Sequence, residues 1–367
     1  MDRDANGAAP DRMCAALLTG HGGFDRLVYR TDVPVPKPGP GEVLIRVEGA
    51  GVNNTDINTR IGWYSKAVRT GSSAGGSAGL AEADAADGSW TGAPLRFPRI
   101  QGADCCGRIV VAGDGVSLAR IGERVIVAPL LRHHRRFRPF EADTLGSEID
   151  GAFAQYAKAP SSETFSVACD WSSVELASMP CAYSTAENML ARAALGAERV
   201  LVTGASGGVG SAAVQLAKRR GAHVTAQASA SKQKAVLALG ADEAIARDAD
   251  VVAAIGRGRI DLVVDVVVGE RWSHLLGVLR AGGRYVCSGA IAGPVGPLDL
   301  RTLYLHDLTV IGCTFQDPEV FPNLVSYIER GDVRPVVAKT YRLADIVTAQ
   351  RDFLAKRFTG KLVLVPP

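Results

Sequence analysis

The chain has no C-x-x-C pair, no long apolar run and little excess charge of either sign. Each lack removes a class of protein. Seven cysteines are scattered singly over 367 residues, apart from adjacent Cys105 and Cys106. An odd count without paired spacing is neither a disulfide framework nor a zinc ribbon, and it reads as buried thiols in a reducing compartment. No stretch approaches the roughly 18 apolar residues that span a bilayer. Residues 1–12 are polar, without the apolar centre of a signal peptide, so a cytoplasmic protein with no membrane partner is expected. A net charge of +3 argues against nucleic acid as a partner. Aromatic residues are few, at 6%, while 47% of the chain is hydrophobic. Small aliphatic side chains therefore have to build the core, and the length favours two domains.

What is present is most concentrated in Val200-Leu-Val-Thr-Gly-Ala-Ser-Gly-Gly-Val-Gly-Ser-Ala-Ala-Val-Gln-Leu-Ala217, which passes from apolar strand through a glycine turn into a helix. A pyrophosphate needs unpaired backbone N–H groups at a helix N-terminus and no Cβ in the way. Ala205-x-Gly207-x-x-Gly210 supplies both, with Gly207 allowing close approach and Gly210 allowing helix to meet strand. Gly204, Ala205, Ser206, Gly207, Gly208, Val209 and Gly210 are therefore the expected cofactor cradle. Alone, such a run could be an ordinary tight turn. Its context argues otherwise: His223–Ala228 reads as a second strand, Lys232–Leu239 as a helix and Ile260–Val268 as a buried parallel strand, with Gly283–Ser288 and Leu308–Gly312 to follow. Strands alternating with helices predict an α/β, doubly wound parallel sheet.

The end of the second strand discriminates between nicotinamide cofactors. An acid there would grip the ribose 2′-OH of NAD and repel a 2′-phosphate. No Asp or Glu occurs between Gly210 and Asp242, and Ser229, Ser231, Lys232 and Lys234 crowd the place, with Arg247 at the end of the expected third strand. Hydroxyls and cations suit a phosphate, so NADPH is expected over NADH. The bland alternative is that these are solvated residues at a helix start.

Outside this stretch the texture changes to short strands, such as Glu42–Glu48 and Gly107–Ala112, broken by Gly and Pro as in a small β-barrel. A helix at Pro322–Arg330 and a final strand at Lys361–Val365 suggest that the chain returns to the barrel. The expected division is 1–165 for the first part of a catalytic domain, 166–320 for a nucleotide domain and 321–367 for the return.

Gly51-Val-Asn-Asn-Thr-Asp-Ile-Asn-Thr-Arg-Ile-Gly-Trp-Tyr64, Gly102-Ala-Asp-Cys-Cys-Gly-Arg-Ile-Val-Val-Ala-Gly113, Ile121-Gly-Glu-Arg-Val125, Gly151-Ala-Phe-Ala-Gln-Tyr156 and the glycine loop follow one another with a telling spacing. In this the chain resembles the medium-chain dehydrogenase/reductase superfamily, and most of all its zinc-free quinone oxidoreductase branch. The resemblance implies a GroES-like catalytic domain holding a Rossmann domain, NADPH as cofactor, a small-molecule substrate and a homodimer formed through the cofactor sheet. Zinc alcohol dehydrogenases of the superfamily have Cys at the position of Asn53, His-Glu at Ala103-Asp104 and Cys at Cys181. Only the last survives here, so no metal is expected, although Asp104 or Cys105 could stand in as a ligand. Asn53 and Tyr64 fall where the quinone reductase branch has an Asn and its second Tyr, and they become the candidate catalytic donors. Asn58 replaces the first Tyr of that branch. Thr185 and Gly289 match positions near the nicotinamide.

The implied activity is hydride transfer from NADPH to a quinone or α,β-unsaturated carbonyl, whose conjugation spreads the developing charge so that hydrogen bonds suffice. An alcohol dehydrogenase acting on an unconjugated alcohol or ketone, and a non-catalytic NADPH-binding sensor or structural protein, are the alternatives. Two insertions, near 66–98 and 131–150, interrupt the resemblance. The first is rich in Gly, Ser and Ala and is expected to be mobile, either as a lid beside Tyr64 or as a surface excursion. The second holds Arg132-His-His-Arg-Arg-Phe-Arg138, either a solvated loop or an anion site for an acidic substrate or partner.

Overall fold

The computed structural model describes residues 9–132 and 139–367. His133–Arg138, and with them most of the arginine-rich loop, lie outside the described residues.

Six strands form one parallel sheet in the order Glu243–Ala246, His223–Ala228, Arg199–Val202, Ile260–Asp265, Leu279–Cys287 and Thr309–Gly312. The first strand in sequence lies in the middle, and the chain winds outward to each side in turn. Right-handed crossovers then place helices on both faces, which is why the central strands read as unbroken apolar runs. Val200, Leu201, Val202, Leu262, Val263 and Val264 are all buried. The second strand has the bounds read from sequence, whereas Ile260–Asp265 stops three residues short of the expected Val268. Buried Asp265 ends it: its carboxylate accepts Thr203 Oγ1 at 2.5 Å, Tyr285 Oη at 2.6 Å and the N–H of Val267 at 2.8 Å, turning the chain away. Val268 follows with φ 54°.

A seven-stranded sheet forms the core of the other domain. It runs Thr164–Ser166, Arg124–Val127, Cys106–Ala112, Glu42–Val52, Lys361–Val365 and Val337–Arg342, with Tyr156–Pro160 also on Glu42–Val52. The C-terminal strand pairs antiparallel with Glu42–Val52, Leu362 opposite Val52. This pairing carries the first residue of the last strand, Lys361, to the boundary between the domains. The helix Val320–Glu329 buries Phe321, Leu324, Val325 and Ile328 in the core that also holds Val200 and Val202. The same core holds Cys106, Ile126 and Val363 of the seven-stranded sheet, so it joins the two domains.

The Gly/Ser/Ala-rich insertion forms a chain of turns tied down by polar groups. Arg60 is fully buried and explains most of this: its guanidinium donates to the carbonyls of Gly22 at 2.8 Å and Gly76 at 2.6 Å and to Gln350 Oε1 at 2.7 Å. Ser72 Oγ donates to Asn58 Oδ1 at 2.7 Å, and Ser72 N–H donates to the Ile291 carbonyl at 3.0 Å. The latter bond joins the insertion to the nucleotide domain. Composition misses it because a polar segment can be ordered through backbone groups, given a buried donor to receive them. No helix among the described residues is long and apolar enough to cross a membrane.

Candidate active site at the domain boundary

The strand Arg199–Val202 ends at the point where strand order reverses, the place where open α/β sheets bind ligands. Gly204 turns the chain at φ 56°, and Gly207 caps the helix Gly208–Arg219 with no side-chain hydrogen bond. Among the described residues no backbone acceptor takes the N–H groups of Gly208, Val209 and Gly210. A Cβ on Gly210 would strike the Gly204 carbonyl and lie 2.7 Å from Ala205 Cα. At Gly207 a Cβ would meet only the Gly204 oxygen, at 3.4 Å, so the space beyond that backbone is open. Three free donors, an open approach and the positive end of a helix dipole fit a pyrophosphate.

Ser229 follows the second strand directly and caps the turn Ala230–Lys232, while Arg247 follows the strand Glu243–Ala246. The structure thus brings Ser229, Lys232 and Arg247 together. Lys232 Nζ donates to the Lys356 carbonyl at 2.5 Å. Lys356 itself was not found from sequence. It ends the helix Ile346–Ala355 at φ 51°. Although the residue as a whole is exposed, its ammonium is desolvated among protein atoms and faces Lys232 and Lys361, which together push its pKa down to about 7. Desolvation and then Arg247 lower Lys232 as well. Among the described residues neither Lys232 nor Lys356 has a carboxylate partner. Converging cations without a counter-charge are suited to an anion.

At the other end of the cleft, the helix Pro180–Arg192 carries Cys181 and Thr185 on one face, and Gly289 follows the strand Leu279–Cys287. Burial pushes the Cys181 thiol up to about 12, with the nearby Asp104 charge adding to it. Asn53 is not the free donor expected. Its Nδ2 donates to Asp104 Oδ2 at 2.7 Å and to the Gly51 carbonyl at 3.3 Å, and its Oδ1 accepts from Lys361 Nζ. Both amide hydrogens are bonded inside the protein. Lys361 Nζ also lies 2.8 Å from Asp104 Oδ2, with Lys361 3% and Asp104 0% exposed. Asp104 Oδ1 accepts Cys181 N–H at 2.6 Å. A Cβ on Gly51 would collide with Asp104 Oδ2, so glycine there is what admits the carboxylate. Asp56 is raised to about 7, first by burial, although the N–H groups of Asn53 and Gly102 oppose the shift.

Tyr64 Oη pairs with Thr55 Oγ1 at 2.9 Å, and its ring meets Trp63 edge-on at 5.7 Å. Burial raises its pKa, keeping it a neutral donor. It lines a cavity of about 720 Å³ together with Leu131, Trp90, Phe140, Thr314 and Phe315. The cluster of Lys361 and the lysine Lys356 went unseen in sequence. The one available signal was a lysine at the head of an otherwise apolar strand, Lys361-Leu-Val-Leu-Val365.

Residues 39–168 match the alcohol dehydrogenase GroES-like domain, and residues 208–330 match a family described as zinc-binding dehydrogenase. The acryloyl-coenzyme A reductase of Metallosphaera sedula is 30% identical over 96% of this chain and 99% of its own. A quinone oxidoreductase from Lama guanicoe is 28% identical over 96% and 97%. A crystal structure from Sinorhizobium meliloti 1021, described as an alcohol dehydrogenase, is 45% identical with a TM-score of 0.87, covering 98% of each chain. With a glycine-loop nucleotide sheet set against a GroES-like barrel, the chain belongs to the quinone oxidoreductase-like part of the medium-chain dehydrogenase/reductase superfamily, and it is an oxidoreductase of that kind.

Proposed function

We propose that the protein is an NADPH-dependent, zinc-independent reductase of quinones or α,β-unsaturated carbonyls. The observation that carries this reading is the Lys361–Asp104–Asn53 network. Where zinc-dependent relatives would need ligands, the one carboxylate is already bound to an ammonium, an amide and a backbone N–H. Cys181 is the one zinc-ligand position of those relatives that keeps a ligand side chain here, and zinc needs three protein donors. No group of three or more His, Cys, Asp or Glu able to hold a metal ion occurs among the described residues. This donor set does not fit zinc. Without a Lewis acid, a conjugated acceptor is the one whose charge a neutral donor can stabilise.

NADPH, when bound, supplies the hydride. The residues that would hold the cofactor's phosphates are Gly208–Gly210 with Lys232, Arg247 and Lys356, Thr185 and Gly289 would lie toward the nicotinamide, and Tyr64 Oη would meet the acceptor oxygen. Oxidation of NADPH with a panel of quinones, enones, enoyl thioesters and simple ketones is the direct test. Turnover of conjugated acceptors that resists chelators supports the reading. Preference for simple alcohols and ketones would select the second one, favoured by the Sinorhizobium relative.

The lysine cluster makes cofactor choice depend on pH. A 2′-phosphate is held by Lys356 in its ammonium form, which predominates below about 7 and is lost above it. Affinity for NADPH should therefore fall as pH rises through that value while affinity for NADH changes little. Lys356→Ala should cut NADPH affinity by about tenfold, on the order of one charge-assisted hydrogen bond, and remove this pH dependence. Equal loss toward both nucleotides in calorimetric titration would refute it.

A homodimer is the assembly we propose. The parallel sheet ends on Thr309–Gly312, an edge with exposed Val310, and Leu300, Tyr304 and Leu305 on the preceding segment are exposed as well. An uncovered apolar sheet edge is suited to pairing with a second copy. A sedimenting monomer at micromolar concentration would exclude it.

A further inference from the structure

Aromatic side chains are scarce in this chain, yet three of them meet in the lining of the cavity that also includes Tyr64. Each comes from a different segment. Trp90 belongs to the first insertion, Phe140 to the second, and Phe315 to the loop after Thr309–Gly312. The rings of Trp90 and Phe315 stand edge-to-face at 5.5 Å and 71°, those of Phe140 and Phe315 at 6.0 Å and 80°. Phe140 is 68% exposed, an apolar ring left in water beside a hollow.

The wall is anchored to the reaction centre. Gln316 Nε2 donates to Ser184 Oγ at 2.8 Å and Asn188 Nδ2 donates to the Phe315 carbonyl at 3.3 Å, and both partners lie on the helix that carries Cys181 and Thr185. Trp90 sits in a turn closed by Ser89 and Ala93, whose backbones bond at 3.1 Å, and Thr91 N–H donates to Glu148 Oε1 at 3.1 Å. Hydrogen bonds therefore fix the loop that carries Phe315 and the turn that carries Trp90.

A cavity of about 720 Å³ falls in the range that takes drug-sized ligands, far more than a three- or four-carbon enone fills. Ring faces and edges favour another aromatic ring, which brings large apolar area and specific edge-to-face contacts. We infer that the acceptor carries an aryl group on the β-carbon of its conjugated carbonyl, at the far end of the C=C, and that Trp90, with Phe140 and Phe315, holds this group while Tyr64 meets the oxygen. The inference rests on the proposed reduction of a conjugated carbonyl and adds to it the substrate's apolar half. It also gives the insertion a role, because Trp90 is a specificity residue that the insertion brings to the site.

The test compares 4-phenyl-3-buten-2-one with 3-penten-2-one, which has a methyl group in place of the phenyl ring, and with crotonyl-coenzyme A. In the unaltered protein, kcat/KM should be highest for the phenyl enone. Trp90→Ala should lower kcat/KM for the phenyl enone by about tenfold to thirtyfold, as loss of one buried aromatic contact predicts, and change that for 3-penten-2-one by less than about threefold. Trp90→Phe should restore most of the difference. Equal losses on both enones, no loss on either, or a preference for the coenzyme A thioester would overturn the inference. Calorimetric binding of 4-phenyl-3-buten-2-one keeps the two readings apart. If no acceptor is reduced but this compound binds, and Trp90→Ala abolishes the binding, the site stands and the proposed reaction fails. Absence of binding together with absence of turnover overturns both.

Discussion

Replacing Lys361 by methionine should destabilise the protein by about 3 to 5 kcal/mol, the scale for removing one partner of a buried ion pair. The substitution keeps most of the side chain's volume, so packing contributes little. What it removes is the cation next to Asp104 Oδ2 and the donor to Asn53 Oδ1, both inside a region where Asp104 has no exposure. The carboxylate would keep its bonds from Asn53 Nδ2 and Cys181 N–H but lose the charge that offsets its desolvation. Urea unfolding of Lys361→Met measures the loss, and Asp104→Asn in the same background should recover part of it by removing the stranded charge. A loss below about 1 kcal/mol in the single variant would mean that the pair contributes little. Nucleotide affinity should fall too, because the Lys361 stem runs past the glycine loop: a Cβ on Gly208 would come within 2.9 Å of its Cδ.

The second large effect is expected at Gly210. Alanine there drives a methyl into the Gly204 carbonyl and toward Ala205 Cα, both backbone atoms of the turn that presents the free N–H groups. Backbone cannot move aside as a side-chain tip can. The strain should cost about 1 to 3 kcal/mol, and much of it should emerge as lost affinity for the nucleotide, since the loop must open to accept the methyl. Gly207→Ala offers the control, with a nearest protein atom at 3.4 Å. It should fold normally and weaken binding only through contact with the pyrophosphate. Stability and cofactor affinity measured side by side distinguish the two. If Gly210→Ala binds NADPH as the parent does, the close approach of helix to loop does not shape the site.

These two positions differ in how they could be found. Gly210 lies in a local motif, where strand, turn and helix follow within a few residues and each glycine answers a steric demand of its immediate neighbours. The same holds for the absence of an acid after His223–Ala228 and for the apolar central strands. Lys361 is separated from Asn53 by most of the chain, and the two meet because the last strand pairs with Glu42–Val52. Nothing local to either residue indicates the other. Asn53 was accordingly read as a free donor, although its amide is consumed by a partner brought from the far end. Lys356 escaped notice for a related reason: it caps a helix of one domain while its ammonium faces Lys232 of the other.

The insertion at 66–98 shows the limit of composition. A segment of Gly, Ser and Ala buries too little apolar surface to order itself. Buried Arg60 supplies the missing interaction by donating to the Gly76 carbonyl, and Ser72 reaches the Ile291 carbonyl across the cleft. Trp90, which reads as one aromatic in a polar stretch, then stands against Phe315.

By itself, the order of residues determined the doubly wound sheet and its glycine turn, because periodicity and tight turns are decided by neighbours along the chain, while the family followed from resemblance in a set of motifs. The tertiary structure alone decided which charges meet in the cleft, what Asn53 bonds and where the insertion lies. Those contacts join segments far apart in sequence, and burial changes what each polar group can do once it has a partner.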